Sequence, residues 1–178
     1  CAQFRKRGAY VVCGGYHATA LPDEVAEHCD TVIQGPAEHS IPAFLSDFAK
    51  GCPKPRYCDF DVCAAEFPLP VRDKITKRKK LRIPGIVANR GCMNACKYCS
   101  MRMMWRNDPR PVEQVVEEIR ALGSKMVIFY DPNFFGNREY VLALMKALKP
   151  LKIFIKSLQK LPQETELLFT ERIITKVC

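Results

Sequence analysis

Long hydrophobic runs are missing from these 178 residues, and no stretch approaches the roughly 20 consecutive apolar positions that a bilayer-spanning helix needs. Membrane insertion is therefore a poor reading. No segment has the charged, apolar, small-residue order of a secretory leader, so the thiols read as belonging to a reducing, cytoplasmic compartment. Histidine is scarce, with 3 residues, so a zinc site built on a histidine pair has little to draw on. Internal repeats and low-complexity tracts are absent too. What is present is globular: 48% hydrophobic and 26% charged residues, with a net charge of +9 that favours anionic neighbours without naming one. Cysteine is abundant at 10 residues, and the sequence opens at Cys1 without an initiator Met, which reads as an excerpt of something longer.

The order of elements implies an α/β fold in two pieces. Residues 9–13 form a short β-rich run stopped by Gly14-Gly15; Pro22-Asp23-Glu24 opens a helix to about residue 28; residues 31–34 form a second strand ending at Gly35-Pro36; residues 40–50 place Ile41, Phe44, Leu45 and Phe48 at helical spacing before Gly51. Residues 52–85 break this rhythm with prolines at 53, 55, 68, 70 and 84 and a basic run over 74–82, and read as a solvated surface linker between domains. Alternation restarts with a strand over 86–89, a long loop over 90–110, a helix over 111–122 closed by Gly123, a strand over 126–130, a loop over 131–136, a helix over 137–148 and a strand over 151–155. Three successive β/α steps imply the first half of a barrel-like parallel sheet. The tail, 157–178, contains an amphipathic stretch near 164–174 and no motif.

The strongest chemical signal is Cys92-Met-Asn-Ala-Cys96-Lys-Tyr-Cys99, in the loop after the first strand of the second piece. Three thiolates at this spacing can wrap one cuboidal iron–sulfur cluster and leave one iron without a local protein ligand, free to bind a small molecule. Two other arrangements use the same residues: a structural zinc site, which lacks a second C-x2-C knuckle here, and a cluster completed by Cys52, Cys58, Cys63 or Cys178.

C-x3-C-x2-C with an aromatic residue before the last cysteine, after a first barrel strand, resembles the radical S-adenosylmethionine (SAM) enzymes over residues 84–156. The resemblance implies that Cys92, Cys96 and Cys99 hold a [4Fe–4S] cluster whose remaining iron is chelated by S-adenosyl-L-methionine. It implies one-electron cleavage of that cofactor to a 5′-deoxyadenosyl radical, which abstracts hydrogen from a small-molecule substrate. The electron would come from a reductant such as flavodoxin or ferredoxin. The backbone near Tyr98 would lie beside the adenine, and Asp131 and Asn133 would supply polar contacts where the family has a Gly-rich segment. From the residues alone, an Asx-type turn capping the next helix is an equal role for that pair.

The stretch from Val11 through Gly14-Gly15-Tyr16-His17, then Leu21-Pro22-Asp23-Glu24 and Gly35-Pro36-Ala37-Glu38, resembles the end of a Rossmann-like cobalamin-binding domain that precedes the radical domain in one subclass. Residues 1–51 would then be its C-terminal part, residues 52–85 a linker and residues 86–156 the N-terminal half of the radical SAM barrel. Gly14, Gly15 and Gly35 would face the cofactor, the glycine pair letting the backbone approach its nucleotide tail. The implied reaction is methyl transfer to an unactivated carbon. A methylthiotransferase acting on transfer RNA or protein is the alternative, with Cys13, Cys29 and Cys52 as a second cluster trio; a non-catalytic zinc module is an alternative of another class. Nucleic acid is not the expected partner. His17 reads as a partly buried hydrogen-bonding group, His28 and His39 as surface groups, Cys13 and Cys29 as small apolar fillers, and Met101, Met103, Met104 and Trp105 as walls of the cluster loop or as core. An unclosed parallel sheet implies self-association.

Overall fold

A computed structural model describes residues 1–72, 83–157 and 173–175. The basic run over 74–82, most of the amphipathic stretch over 164–174 and Cys178 lie outside the described residues. The chain divides into two compact units: residues 1–63 with 95–105, and residues 64–94 with 106–178.

The first unit begins with a one-turn helix, α1 (Ala2–Arg5), and is built on a parallel sheet of β1 (Val12–Cys13), β2 (Thr31–Gln34) and β3 (Arg56–Cys58), in that order. Between the strands run α2 (Tyr16–Ala20), α3 (Pro22–Ala26) and α4 (Ser40–Ala49). Pro22 opens α3, with Asp23 and Glu24 in its first turn, where the helix dipole favours acids. β2 is the central strand, with Thr31, Val32 and Ile33 all buried, the near-continuous burial expected of a parallel strand covered on both faces. Val32 packs with Ala18, Val25 and Cys29 on one side, while Ile33 packs with Phe44 and Tyr57 on the other.

β3 lies inside the stretch that composition marks as a linker. It pairs Val32 with Arg56, Ile33 with Tyr57 and Gln34 with Cys58. Flanking prolines hide it, but Tyr57 is buried, and its hydroxyl donates to Asp47 of α4 at 2.9 Å. On α4 only Phe44 of the four spaced hydrophobics is buried; Ile41, Leu45 and Phe48 remain exposed.

The second unit holds a parallel sheet in the order β4 (Gly85–Ile86), β7 (Met126–Phe129), β8 (Phe154–Ser157) and β9 (Ile173–Thr175). Its crossover helices are α6 (Val112–Leu122) and α7 (Arg138–Leu148). Pro111 stands at the N-cap of α6 and Gly123 ends it in the left-handed conformation, φ +60°. Val115, Val116 and Ile119 of α6 meet Val141, Leu144 and Leu148 of α7 over Ile86, Val127, Phe129 and Ile155. This is the larger core, and each fully buried aliphatic side chain in it contributes on the order of 2 kcal/mol.

Two strand expectations shift. The strand over 86–89 is interrupted: β4 ends at Ile86, and β5 (Asn89–Arg90) pairs antiparallel with β6 (Asp108–Pro109). The expected strand over 151–155 becomes β8 at Phe154–Ser157, because residues 149–151 close a 3-10 turn and Lys152 takes a φ of +50°.

Candidate functional site

The cysteine loop springs from the carboxyl end of β4, the side of a parallel α/β sheet that presents functional groups. Its stem is the β5–β6 pair, Asn89 opposite Pro109 and Arg90 opposite Asp108. Above the stem, Gly91 has φ +84° and lies against the Arg106 carbonyl, so closely that a Cβ there would collide with backbone. Phe67 covers the Arg90 guanidinium, 4.0 Å from its ring centre, as a cation–π pair.

Cys92 is half-buried, and the Asn94 amide donates to its Sγ at 3.4 Å. Cys96 and Cys99 are exposed, with the Cys99 amide donating to the Cys96 carbonyl at 3.1 Å. All three thiols are free. Cys92 belongs to the second unit, while residues 95–105, with Cys96 and Cys99, belong to the first. Among the described residues no three His, Cys, Asp or Glu side chains stand together as a metal-holding group. The donor set nevertheless has the chemistry of an iron–sulfur site: three unpaired thiols at short spacing, with a backbone amide directed at one sulfur. Cys52, Cys58 and Cys63 are also free and exposed.

Tyr98 is 92% exposed. Met104 is buried, and the following α5 (Met101–Met104) packs within the first unit against α2, where the Tyr16 hydroxyl donates to Met101 Sδ at 3.0 Å. Burial, and then the charge of Cys99, push the Tyr16 phenol above its ordinary range. Sequence reasoning missed Tyr16, since an aromatic residue after a glycine pair carries no distance information.

Asp131 lies two residues beyond β7, and it does not make the Asx-type cap that is one of its two sequence readings. It is 6% exposed, and Oδ1 accepts from the amides of Ala88, at 3.0 Å, and Asn89. The cap of α7 is instead Asn137, whose Oδ1 accepts from the Tyr140 amide at 3.1 Å. Asn133 closes the intervening turn, its carbonyl accepting from the Gly136 amide at 3.2 Å. Burial raises the Asp131 carboxyl to about 6, against the lowering influence of those amides and of Arg110. Its Oδ2 is buried with no hydrogen-bond partner among the described residues, and so is Asn89 Oδ1. Two orphaned acceptors at the carboxyl end of a parallel sheet suit a ligand that brings hydrogen-bond donors, and an ammonium group is such a ligand.

Beside them lies a buried ionic group. Glu118 accepts from Arg110 Nη1 at 2.7 Å and from Arg72 Nη2 at 2.5 Å. Arg110 Nη1 also donates to the Val87 carbonyl at 3.0 Å. The sequence did carry a signal for Glu118, an acid on the face of α6 that buries Val115 and Ile119. A buried charge in such a stripe needs a cation.

In the first unit the glycine turns at the carboxyl ends of β1 and β2 are tied together. Thr19 Oγ1 donates to the Gly15 carbonyl at 2.8 Å and accepts from the Gly35 amide at 3.0 Å. Gly15 has φ +95° and open space where a Cβ would stand, while Gly14 lies beside the Ile33 carbonyl. The missing Cβ of Gly35 is used by the protein itself: Asp59 O and the Phe60 ring fill that space. His17 is exposed and faces Glu24 at 3.2 Å rather than being partly buried; His39 faces Asp59 at 2.9 Å. Cys29 is buried and its thiol donates to the Val25 and Thr31 carbonyls, the behaviour of a packed residue and not of a cluster ligand.

The family model described as the Radical SAM superfamily matches residues 86–167. The chain is 31% identical over 130 residues to bacteriochlorophyllide d C-8(2)-methyltransferase of Chlorobaculum tepidum, covering 66% of this chain and 29% of that protein. It is 28% identical over 157 residues to an uncharacterized methyltransferase of Synechocystis sp., covering 82% of this chain and 28% of that protein. It thus spans less than a third of the length of either relative. No solved structure matches. No helix among the described residues is long and apolar enough to cross a membrane. The three-cysteine loop, the Asp131 turn and strands β7 and β8 all lie within the residues that match the Radical SAM superfamily model.

Proposed function

We propose that the chain is part of a cobalamin-dependent radical SAM methyltransferase, one that adds a methyl group to an unactivated carbon of a small molecule. The observation that carries this is the trio of free thiols, Cys92, Cys96 and Cys99, on a loop rooted at the carboxyl end of a parallel β/α sheet, inside the stretch that matches the family. When bound, a [4Fe–4S] cluster and S-adenosyl-L-methionine supply one-electron reductive cleavage and a carbon radical that abstracts hydrogen.

This chain's residues bind and orient. The three cysteines hold the cluster. Asp131 Oδ2 and Asn89 Oδ1, both buried and unpaired among the described residues, accept from the ammonium group of S-adenosyl-L-methionine. Asn133 lines the same turn, and the exposed backbone at Tyr98 lies on the adenine side. Gly14, Gly15 and Gly35 form the cobalamin side of the first unit, with Gly15 leaving the open approach and Gly35 holding the turn through its amide bond to Thr19. A flavodoxin or ferredoxin delivers the electron. Methyl transfer is favoured because both relatives are named methyltransferases, one of them for bacteriochlorophyllide d.

The test is anaerobic reconstitution with iron and sulfide, followed by separate Cys92→Ala, Cys96→Ala and Cys99→Ala exchanges. Each is expected to abolish the brown chromophore and reductive cleavage of S-adenosyl-L-methionine. Survival of both in any one variant overturns the assignment. Stoichiometric zinc without charge-transfer absorption would select a structural zinc site instead.

A further inference from the structure

Between β4 and the cysteine loop, side chains hold the carbonyls of Val87 and Ala88 and the amides of Ala88 and Asn89. Arg110 Nη1 donates to the Val87 carbonyl at 3.0 Å; the Arg110 amide at 2.8 Å and the Tyr140 hydroxyl at 3.3 Å both donate to the Ala88 carbonyl. The Ala88 and Asn89 amides both donate to Asp131 Oδ1. Asn89 Nδ2 in turn donates to Asn107 Oδ1 at 2.9 Å, across the mouth of the loop. Ala88 is fully buried and Asn89 nearly so, so these groups have no water to turn to if the clamp is lost. Of the clamping side chains, Asp131 alone bonds to two successive amides of the segment, and it does so from the end of a different strand.

We propose that Asp131 is a positioning residue: by gripping the amides of Ala88 and Asn89 it fixes the root of the cysteine-bearing loop to the end of β7, and so sets where Cys92 is presented. Asn89 starts the β5–β6 stem, and Cys92 follows three residues later, just beyond the constrained Gly91. Releasing the two amides lets the stem slide or twist, and the first thiolate moves with it. The grip uses Oδ1, whereas the S-adenosyl-L-methionine contact proposed above uses Oδ2, so the two roles are separable. The consequence for the cluster rests on that proposed function; the grip itself does not.

Two measurements on Asp131→Ala and Asp131→Asn keep the failures apart. The first is hydrogen exchange on cluster-free protein. In Asp131→Ala the amides of residues 88 and 89 are expected to exchange at least about tenfold faster, while those of Val127 and Ile155 within the sheet keep their protection. Asp131→Asn, which retains an acceptor oxygen, restores part of the protection. Unchanged exchange at 88 and 89 in the alanine variant overturns the proposal, whatever the cluster does. The second is iron loading at limiting iron. Asp131→Ala is expected to bind iron roughly 10-fold more weakly and to give a broadened reduced-cluster EPR signal, with Asp131→Asn close to the parent. Normal loading and an unbroadened signal in Asp131→Ala also overturn it. If the alanine variant does not fold, the asparagine variant decides: exchange at 88 and 89 faster than in the parent with loading close to it supports the acceptor role, and unchanged exchange or loading as weak as in the cysteine variants contradicts it. Failure of the parent itself to bind iron would sink the proposed function and leave the exchange result standing.

Discussion

Single residues carry the sharpest consequences. The Asp131 carboxyl, raised from 3.8 to about 6 by burial, is protonated more readily in the folded chain than in the unfolded one. Its contribution is therefore most favourable below pH ~4 and is lost as pH rises through about 6, a swing on the order of 3 kcal/mol. Asparagine has no such titration. The stability of the parent relative to Asp131→Asn should thus fall between about pH 4 and about pH 6 in urea unfolding and level off above that; a constant difference would show that the carboxyl is not perturbed. Glu118 offers a second case. It is 3% exposed and answers two arginines. Glu118→Ala leaves Arg110 charged and buried, and is expected to cost about 3 kcal/mol or more, read as a shift in urea midpoint; a loss under about 1 kcal/mol would place the pair in effective contact with water. Sequence pattern marks the three cysteines as candidates by spacing, while among the described residues no three such side chains stand together as a metal-holding group. It could not assign Asp131, since its partners are backbone amides 42 and 43 positions away.

Elements were legible where local chemistry and burial agree. β2 spans residues 31–34, α4 begins at Ser40, and Gly123 ends α6, each signalled by an apolar run or a left-handed glycine. The misses have different causes: strand pairing at β3, a distant side chain at residues 88 and 89, and a local turn at residues 149–152. β3 hides between prolines because only its pairing with β2 makes it a strand. The strand over 86–89 breaks because side chains, not a neighbouring strand, take the amides of 88 and 89. At this scale the Asn137 cap of α7 is directly testable. Asn137→Ala should lower stability by about 1 kcal/mol with the sheet unchanged by circular dichroism, and a neutral exchange would mean the cap bond contributes nothing. Gly91→Ala should do more than lower stability, because both its φ and the Arg106 backbone oppose a side chain; the loop stem would have to open, visible as faster amide exchange at Arg90 and Asp108.

The whole chain consists of two units with separate cores. The second packs Ile86, Val115, Ile119, Phe129, Leu144 and Leu148 in one cluster, whereas the first has two small clusters on opposite faces of its sheet. The first unit is accordingly expected to lose amide protection at lower denaturant than the second; simultaneous loss would show the two to be one cooperative body. Ile41, Leu45 and Phe48 leave an apolar stripe on α4, so the chain should self-associate, and Leu45→Glu should reduce the associated fraction in light scattering. The alternating α/β order made the parallel sheets legible. The +9 charge named no partner, since charge without geometry selects nothing. Mössbauer spectroscopy on anaerobically reconstituted protein tests the central claim most directly. With Cys92, Cys96 and Cys99 as the only protein ligands, about four irons bind per chain, and one of them should change its signature when S-adenosyl-L-methionine is added. Spectra in which every iron stays equivalent and unmoved by the cofactor would contradict the account.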